Sequence, residues 1–305
     1  MSVRFVQYCR AKERAARDAV LPPYRTVELD TRFIGEFRAI GNEWSRGLFD
    51  GDFYRTDRDE DIPVTNLVFV ESRDGNTGAG DPATLGGGDT DKHLIYEGLS
   101  RVDADAVLSG ATTARSDELV FSVWHPELVA LRRDCGRTRH PAQVIVSSRS
   151  SVRIETSLMF QEPELPVFLL TTSDAAASLR LQVATRPWIQ VIDGGQPLSM
   201  RIALRELKTR GIETVSAIGG RTTARALLRE RVVHDVYLTT SEIDGGEPNT
   251  PLLEGPLDAR TVLIKEGTGV EEGVRFVHYV SGNTSNRWRG SWWHRPYNRG
   301  GKQDQ

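Results

Sequence analysis

From residue 64 to residue 280 the sequence alternates short apolar segments with helical ones, and this alternation restricts the fold more than any other feature. Apolar, β-branched runs predict strands. Strands separated by helices predict an α/β fold: a mostly parallel central sheet with helices on both faces. Two late strands, 261–265 and 274–280, are expected to close the sheet in antiparallel order. The other predicted strands are 66–70, 106–110, 143–146, 167–170, 188–192, 212–218 and 235–240.

One strand enters a helix through two glycines, Gly219-Gly220. The strand, 212–218, is largely apolar, and the helix, 221–230, has apolar residues at helical spacing. Such a junction leaves the first N–H groups of the helix unpaired, and with the helix dipole and the hydroxyls of Thr222 and Thr223 these donors suit a phosphate. The alternative is a tight turn without a ligand, because glycine is ordinary at such turns.

Polar and glycine residues gather where the predicted strands end, and ligands of parallel sheets bind beyond those ends. Ser147, Ser148 and Arg149 follow one strand and offer two hydroxyls and a guanidinium, which suit a phosphate monoester. Each site alone has a structural explanation. Together, two separated phosphate sites at one edge suit NADPH, with its pyrophosphate and 2′-phosphate. The same edge receives Asp74, Thr113, Asp117, Gly219 and Gly220.

Composition excludes several classes of protein. The net charge of −3 gives no case for nucleic-acid binding, and two distant cysteines, Cys9 and Cys135, make neither a disulfide framework nor a zinc site. We expect no metal. The apolar runs are too short for a signal peptide or a membrane span, and this predicts a cytoplasmic protein. The motifs of zinc deaminases, α/β serine hydrolases, phosphate-loop ATPases and dinucleotide-binding Rossmann folds are absent, so His125-Pro126-Glu127 is interpreted as a turn.

The chain divides into three predicted parts. Residues 1–62 form an N-terminal extension with a weakly amphipathic helix over 8–21 and scattered aromatics. Residues 63–280 form the α/β domain. Residues 281–305 form a basic tail with three tryptophans. Interleaved basic and aromatic residues suit base stacking, but we favour a tail that packs on the body or on a partner subunit, because the whole chain is acidic.

The order and spacing of several segments resemble the reductase domain of riboflavin biosynthesis deaminase-reductase proteins, which has the dihydrofolate-reductase fold. The resemblance covers about two-thirds of the chain. The matching segments are Ser72-Arg73-Asp74-Gly75-Asn76, Arg101-Val-Asp-Ala-Asp-Ala-Val-Leu-Ser-Gly-Ala-Thr-Thr113 with Asp117, Val144-Ile-Val-Ser-Ser-Arg149, Ile218-Gly-Gly-Arg-Thr222 and Val232-Val-His-Asp235.

The resemblance implies NADPH-dependent reduction of a pyrimidine-, pterin- or related heterocycle-bearing small molecule. It implies that Arg101 faces the substrate phosphate, while Asp74 is the candidate acid or orienting group, with a turn-stabilising role as the alternative. We also expect a homodimer. The residues expected to hold the cofactor are Thr113, Asp117, Ser148, Arg149, Gly219, Gly220, Arg221 and Thr222.

Two positions depart from the family pattern. Ile218 stands where the family has a substrate-contacting glutamate, and Trp124 stands where it has an arginine. Both changes predict a less polar pocket, so the cofactor half of the site is better supported than the substrate half. The alternatives are a dihydrofolate reductase activity, or a non-catalytic module with a vestigial dinucleotide site.

Overall fold

A computed structural model describes residues 1–79, 82–148, 152–252, 255, 257–267 and 273–281. The helices are α1 Val3–Asp18, α2 Glu43–Phe49, α3 Gly88–Thr90, α4 Ser100–Val102, α5 Pro126–Asp134, α6 Leu158–Gln161, α7 Ser173–Gln182, α8 Met200–Lys208 and α9 Arg221–Arg229, and a π-helical segment Asp91–Leu99 joins α3 to α4. Short 3-10 turns cover Thr31–Glu36, Pro82–Leu85 and Thr113–Arg115. The strands are β1 Tyr24–Leu29, β2 Phe37–Ile40, β3 Phe53–Thr56, β4 Val64–Glu71, β5 Ala106–Gly110, β6 Ala142–Val146, β7 Val167–Thr171, β8 Ile189–Asp193, β9 Thr214–Ile218, β10 Asp235–Thr240, β11 Ala259–Gly267 and β12 Arg275–Ser281.

Ten strands form one sheet in the order β1-β11-β12-β10-β4-β9-β5-β6-β7-β8. The strands from β10 to β8 in this order run parallel, and β12, β11 and β1 continue the sheet in antiparallel fashion. The predicted fold class is therefore confirmed. β2 and β3 form a separate antiparallel hairpin.

The core lies in two layers because successive strand residues point to opposite faces of the sheet. Leu67 of β4 and Ala217 of β9 pack with α8 and α9 on one face. Val68 of β4 and Ile218 of β9 pack on the other face with α1, α5 and the helical run 88–102. Helices therefore cover both faces of the parallel part, as predicted.

The interpretation of residues 1–62 as an extension outside the main domain requires correction. β1 pairs with β11 and so belongs to the main sheet. Tyr24 and Phe49 each lie with their ring edge-on to Phe276 of β12, at 6.4 and 5.3 Å between centroids. The aromatic residues of this region therefore belong to the core of the main domain and not to a separate extension. The predicted first helix begins earlier, at Val3, because Ser2 caps it.

The turn predicted at His125-Pro126-Glu127 is wrong. His125 is the N-cap of α5 and accepts a hydrogen bond from the backbone N–H of Glu127, while Pro126 occupies the first helical position, which suits its missing N–H. The predicted tail after Ser281 lies outside the described residues. No described helix has both the length and the apolar character of a membrane-spanning segment.

Candidate functional site

The candidate site lies at the carboxyl ends of β4, β9 and β5, which are neighbours in the sheet. β9 ends at Ile218, and the chain turns through Gly219 and Gly220 into α9. Both glycines have positive φ, +68° and +80°, a conformation that side-chain-bearing residues rarely adopt. The sequence therefore uses glycine here because the backbone requires it.

The Gly219-Gly220 turn lies directly against the end of β5. A side-chain carbon at Gly219 would be 3.5 Å from the methyl group of Thr113, and one at Gly220 would be 3.6 Å from the backbone nitrogen of Gly110. A carbon at Gly110 would be 2.8 Å from Thr223 Oγ1. Three glycines thus let two strand ends and a helix start meet closely, and Thr113 lies beside the turn.

The start of α9 has no side chain capping it. The first helical hydrogen bond runs from the N–H of Ala224 to the carbonyl of Gly220, at 3.0 Å. Thr222 is exposed. An uncapped start with an exposed hydroxyl presents the donors that an anionic group requires, together with the positive end of the helix dipole.

A loop from the end of β10 crosses this edge of the sheet. Arg221 lies 3.6 Å from a carboxylate oxygen of Glu247 in that loop. The backbone N–H of Glu247 donates to the carbonyl of Gly78 at 2.7 Å, which connects the loop to the segment after β4. The ends of β4, β9 and β10 therefore share one framework, although Arg221 is already paired with a carboxylate.

Asp74 is held by its own turn. Its carboxylate accepts hydrogen bonds from Ser72 Oγ at 2.5 Å and from Asn76 Nδ2 at 2.8 Å. The hydrogen bond from Ser72 is the largest cause of a lowered pKa of Asp74. An ionised carboxylate at neutral pH suits an orienting role or a turn-stabilising role better than proton donation.

Asp117 is turned toward a different segment. It accepts hydrogen bonds from Thr156 Oγ1 at 2.8 Å and lies 3.1 Å from Arg153 Nη1. Its position in the loop after β5 connects it to Thr113, but its carboxylate is occupied by these two partners. Asp117 is therefore placed to hold the loop rather than to reach the glycine turn.

Ser148 follows β6 at the same edge of the sheet, and its side chain is exposed. Its backbone carbonyl accepts a hydrogen bond from Thr172 Oγ1 at 3.4 Å, so the next strand end supports it. Arg149, predicted to act beside it, lies outside the described residues. β5 lies between β6, which Ser148 follows, and β9, which leads into the glycine turn.

The assignment of Arg101 to the substrate phosphate requires correction. Arg101 precedes β5, at the opposite end of that strand from the glycine turn. It is 1% exposed, donates to the carbonyl of Ser122 at 3.0 Å, and lies 4.5 Å from the ring centre of Tyr96. The strand of five residues puts about 13–17 Å between the two ends. Arg101 is therefore a buried core residue of the helical run 88–102.

The two departures from the family pattern are also core residues. Ile218 is fully buried, and Trp124 is 1% exposed. The Trp124 ring packs edge-on to Tyr8 of α1, at 5.6 Å between ring centres. Neither side chain lines an open pocket among the described residues. Ile218 and Trp124 therefore pack in the core and do not form the apolar pocket lining that the sequence predicts.

Glu71, which the sequence did not single out, lies at the last position of β4. It is half-buried, and its carboxylate accepts a hydrogen bond from Thr240 Oγ1 at 2.8 Å. Burial raises the pKa of Glu71, and the hydrogen bond from Thr240 offsets part of that shift. In the sequence, the available sign of Glu71 is that a charged residue ends an apolar strand.

An open depression of about 660 Å³ lies elsewhere, near the residue that precedes β9. Lys208 there is bound by Asp59 at 3.3 Å and also by Glu213, so its charge is already neutralised. We assign this depression no role. Among the described residues, no group of His, Cys, Asp or Glu has the arrangement of a metal site.

Comparison with known proteins adds to this geometry. A family model described as the RibD C-terminal domain matches residues 66–266. Two curated relatives are both named 2,5-diamino-6-ribosylamino-4(3H)-pyrimidinone 5′-phosphate reductase. The Archaeoglobus fulgidus protein is 21% identical over 174 residues, 57% of this chain and 78% of the relative. The Aquifex aeolicus protein is 26% identical over 156 residues, 51% of this chain and 64% of the relative.

Among solved structures, a pyrimidine reductase-like protein from Corynebacterium diphtheriae has a TM-score of 0.58 and 21% identity. The match covers 72% of this chain and 91% of that one. At this identity the likeness shows a common fold. The matched family region begins at residue 66, inside β4, so α1, β1 and the β2–β3 hairpin precede it.

Proposed function

The chain belongs to the RibD C-terminal domain family, and from this membership we propose that it is an NADPH-dependent reductase. Its substrate is a heterocycle-bearing small molecule of the kind that the names of its relatives describe: a ribosylamino-pyrimidinone phosphate or a related pyrimidine or pterin. When bound, NADPH supplies the hydride. The protein's part is to position cofactor and substrate.

The observation that carries the proposal is the uncapped start of α9 behind the Gly219-Gly220 turn. Its free N–H groups and the hydroxyl of Thr222 fit the pyrophosphate, and Thr113 borders the same turn. Ser148, with Arg149, is proposed to take the 2′-phosphate. Arg221 and Asp117 contribute by holding the loops on either side.

On the substrate side, Asp74 is proposed to orient the acceptor rather than to donate a proton, because its pKa is lowered. Glu71, whose pKa burial raises, is the carboxyl at this edge that stays protonated to higher pH. We propose a cytoplasmic homodimer. Light scattering of the purified chain tests the dimer.

Titration of NADPH and NADH, followed by nicotinamide fluorescence, tests the cofactor. A Ser148→Ala, Arg149→Ala double variant is expected to weaken NADPH binding more than NADH binding, and equal losses would refute the 2′-phosphate assignment. A panel of pyrimidine and pterin substrates, with dihydrofolate included, tests the reaction. Failure to bind either nucleotide overturns the proposal, and binding without turnover favours a vestigial site.

A further inference from the structure

The N-terminal helix α1 packs on the loop that follows β5. This loop, 111–118, carries Thr113 and Asp117. α1 precedes the region that matches the family model. Its contacts with the loop and with the segment that supports the loop are made by side chains of its first two turns and by its N-cap.

Arg4 joins the loop to its neighbour. Its guanidinium donates to the backbone carbonyl of Asp117 at 3.1 Å and to that of Thr156 at 3.2 Å. Its Nε lies 3.6 Å from a carboxylate oxygen of Glu118. One planar side chain thus spans two separate segments, a geometry that a guanidinium fork makes and that an ammonium does not.

Tyr8 fixes the residues just beyond the loop. Its hydroxyl accepts a hydrogen bond from the N–H of Val120 at 3.2 Å and lies 3.4 Å from the Val120 carbonyl. Burial raises the pKa of Tyr8 to about 12, so the hydroxyl stays protonated at all physiological pH values. Arg4 and Tyr8, one helical turn apart, therefore hold residues on both sides of Leu119.

The first residues of α1 are themselves fixed by buried contacts. Phe5 is 1% exposed and packs edge-on to His140 at 5.4 Å between ring centres. The backbone N–H of Ser2 donates to the fully buried Glu162 at 3.0 Å, and the Ser2 hydroxyl also bonds this carboxylate. A helix that is fixed in this way can hold the loop 111–118 in place.

The loop is held on its other side by its own carboxylate, because Asp117 binds Thr156 and Arg153. The loop therefore contacts both α1 and the segment 153–158. Its beginning, Thr113, lies against the glycine turn. A shift of the loop changes the distance between Thr113 and that turn.

We propose that α1 is a clamp whose Arg4 and Tyr8 are positioning residues: they fix the loop 111–118 and so set the affinity for NADPH. This inference rests on the proposed function for its second half only. The first half, ordering of the loop, is independent of any ligand.

Three variants test the clamp. Arg4→Ala and Tyr8→Phe remove its contacts, and Arg14→Ala changes an exposed residue of the same helix as the control. Hydrogen–deuterium exchange without ligand reports on amides 113–120, with β7 as the internal reference. Both clamp variants are expected to exchange faster at 113–120 and not in β7. Each is expected to raise the NADPH Kd about three- to tenfold, corresponding to one or two lost hydrogen bonds.

The outcomes separate the two proposals. Unchanged exchange at 113–120 in both variants overturns the clamp. Faster exchange with an unchanged NADPH Kd overturns its link to the cofactor. If the native chain binds no NADPH, the proposed function fails, and exchange alone decides the clamp. If Arg4→Ala fails to fold, Tyr8→Phe, which keeps the ring and its packing, carries the same measurements. An effect of Arg14→Ala equal to that of Arg4→Ala argues for a general loss of helix α1 and against the clamp.

Discussion

Gly110 at the end of β5 faces Thr223 in the first turn of α9 so closely that a side-chain carbon at Gly110 would lie 2.8 Å from Thr223 Oγ1. Gly110→Ala is therefore expected to cost about 1–3 kcal/mol of unfolding free energy by overpacking. In a Thr223→Ala background most of that cost should disappear, because the next atom, Thr223 Cβ, is 3.9 Å away. Urea unfolding of the two single variants and the double variant measures the coupling. Additive losses would show that the contact is not the cause.

Gly220 has a positive φ of +80°, and an added side-chain carbon would be in ordinary contact with its neighbours, 3.6 Å from the nearest atom. Gly220→Ala is thus expected to cost about 1–3 kcal/mol, mainly through backbone strain. It should also weaken NADPH binding, because relief of the strain reorients the first N–H groups of α9.

Gly136, after α5, is a matched control, with φ of +75° and nothing within 4 Å of an added carbon. Gly136→Ala should lower stability by a similar amount in urea unfolding and leave the NADPH Kd unchanged. Equal NADPH Kd values for Gly220→Ala and Gly136→Ala would show that the start of α9 is not part of the cofactor site.

Placing a glutamate before the glycines, where the resemblance to the reductase family implies one, is expected to damage this protein. Ile218 is fully buried among apolar side chains, so Ile218→Glu buries an unpaired carboxyl and should cost about 2 kcal/mol or more. Burial favours the neutral carboxyl, so the loss should be larger at about pH 8 than at about pH 5. Ile218→Val, at about 1 kcal/mol, is the control in the same urea titrations. A stable Ile218→Glu protein with gained substrate affinity would place this side chain in the pocket instead.

Acid is expected to lower the free energy of unfolding, partly through protonation of His140. Burial lowers the pKa of His140 to about 3, helped by Arg139 and Arg132, and its Nδ1 lies 2.8 Å from Ser122 Oγ. A folded-state pKa below the unfolded value means that the neutral ring contributes stability above about pH 6.5 that is lost as the pH falls toward 3.

His140→Gln keeps a polar partner for Ser122 and removes the titration. The difference in urea midpoint between about pH 7 and about pH 4 should therefore be smaller for His140→Gln than for the native chain. Identical pH dependence of the two proteins would show that His140 is not a source of the acid sensitivity. His125, whose pKa burial lowers to about 4, is the residue to substitute next in that case.

The parallel half of the fold could be predicted because each of its strands carries its own apolar pattern, and the glycine turn at Gly219 marks a backbone requirement in the sequence. β1 could not, because its half-exposed pattern gains meaning only beside β11. Arg101 was assigned to the substrate from the family resemblance, although its place before β5 already put it at the amino end of that strand. Glu71 belongs to no motif that could be found in the sequence. Its pKa is raised by burial, which depends on segments that are distant in the sequence.

The pairing of β1 with β11 has a consequence for how the chain is made. Leu29 meets Leu263, a residue that the ribosome adds roughly 10 to 50 seconds later at ordinary elongation rates. Phe276, the ring that Tyr24 and Phe49 pack against, emerges later still. During that interval the first strand and its aromatic neighbours are an unpaired apolar surface on a nascent chain, which is the kind of segment that chaperones bind. The residues of β1 are thus synthesised well before β11 and can take their place in the sheet only after it.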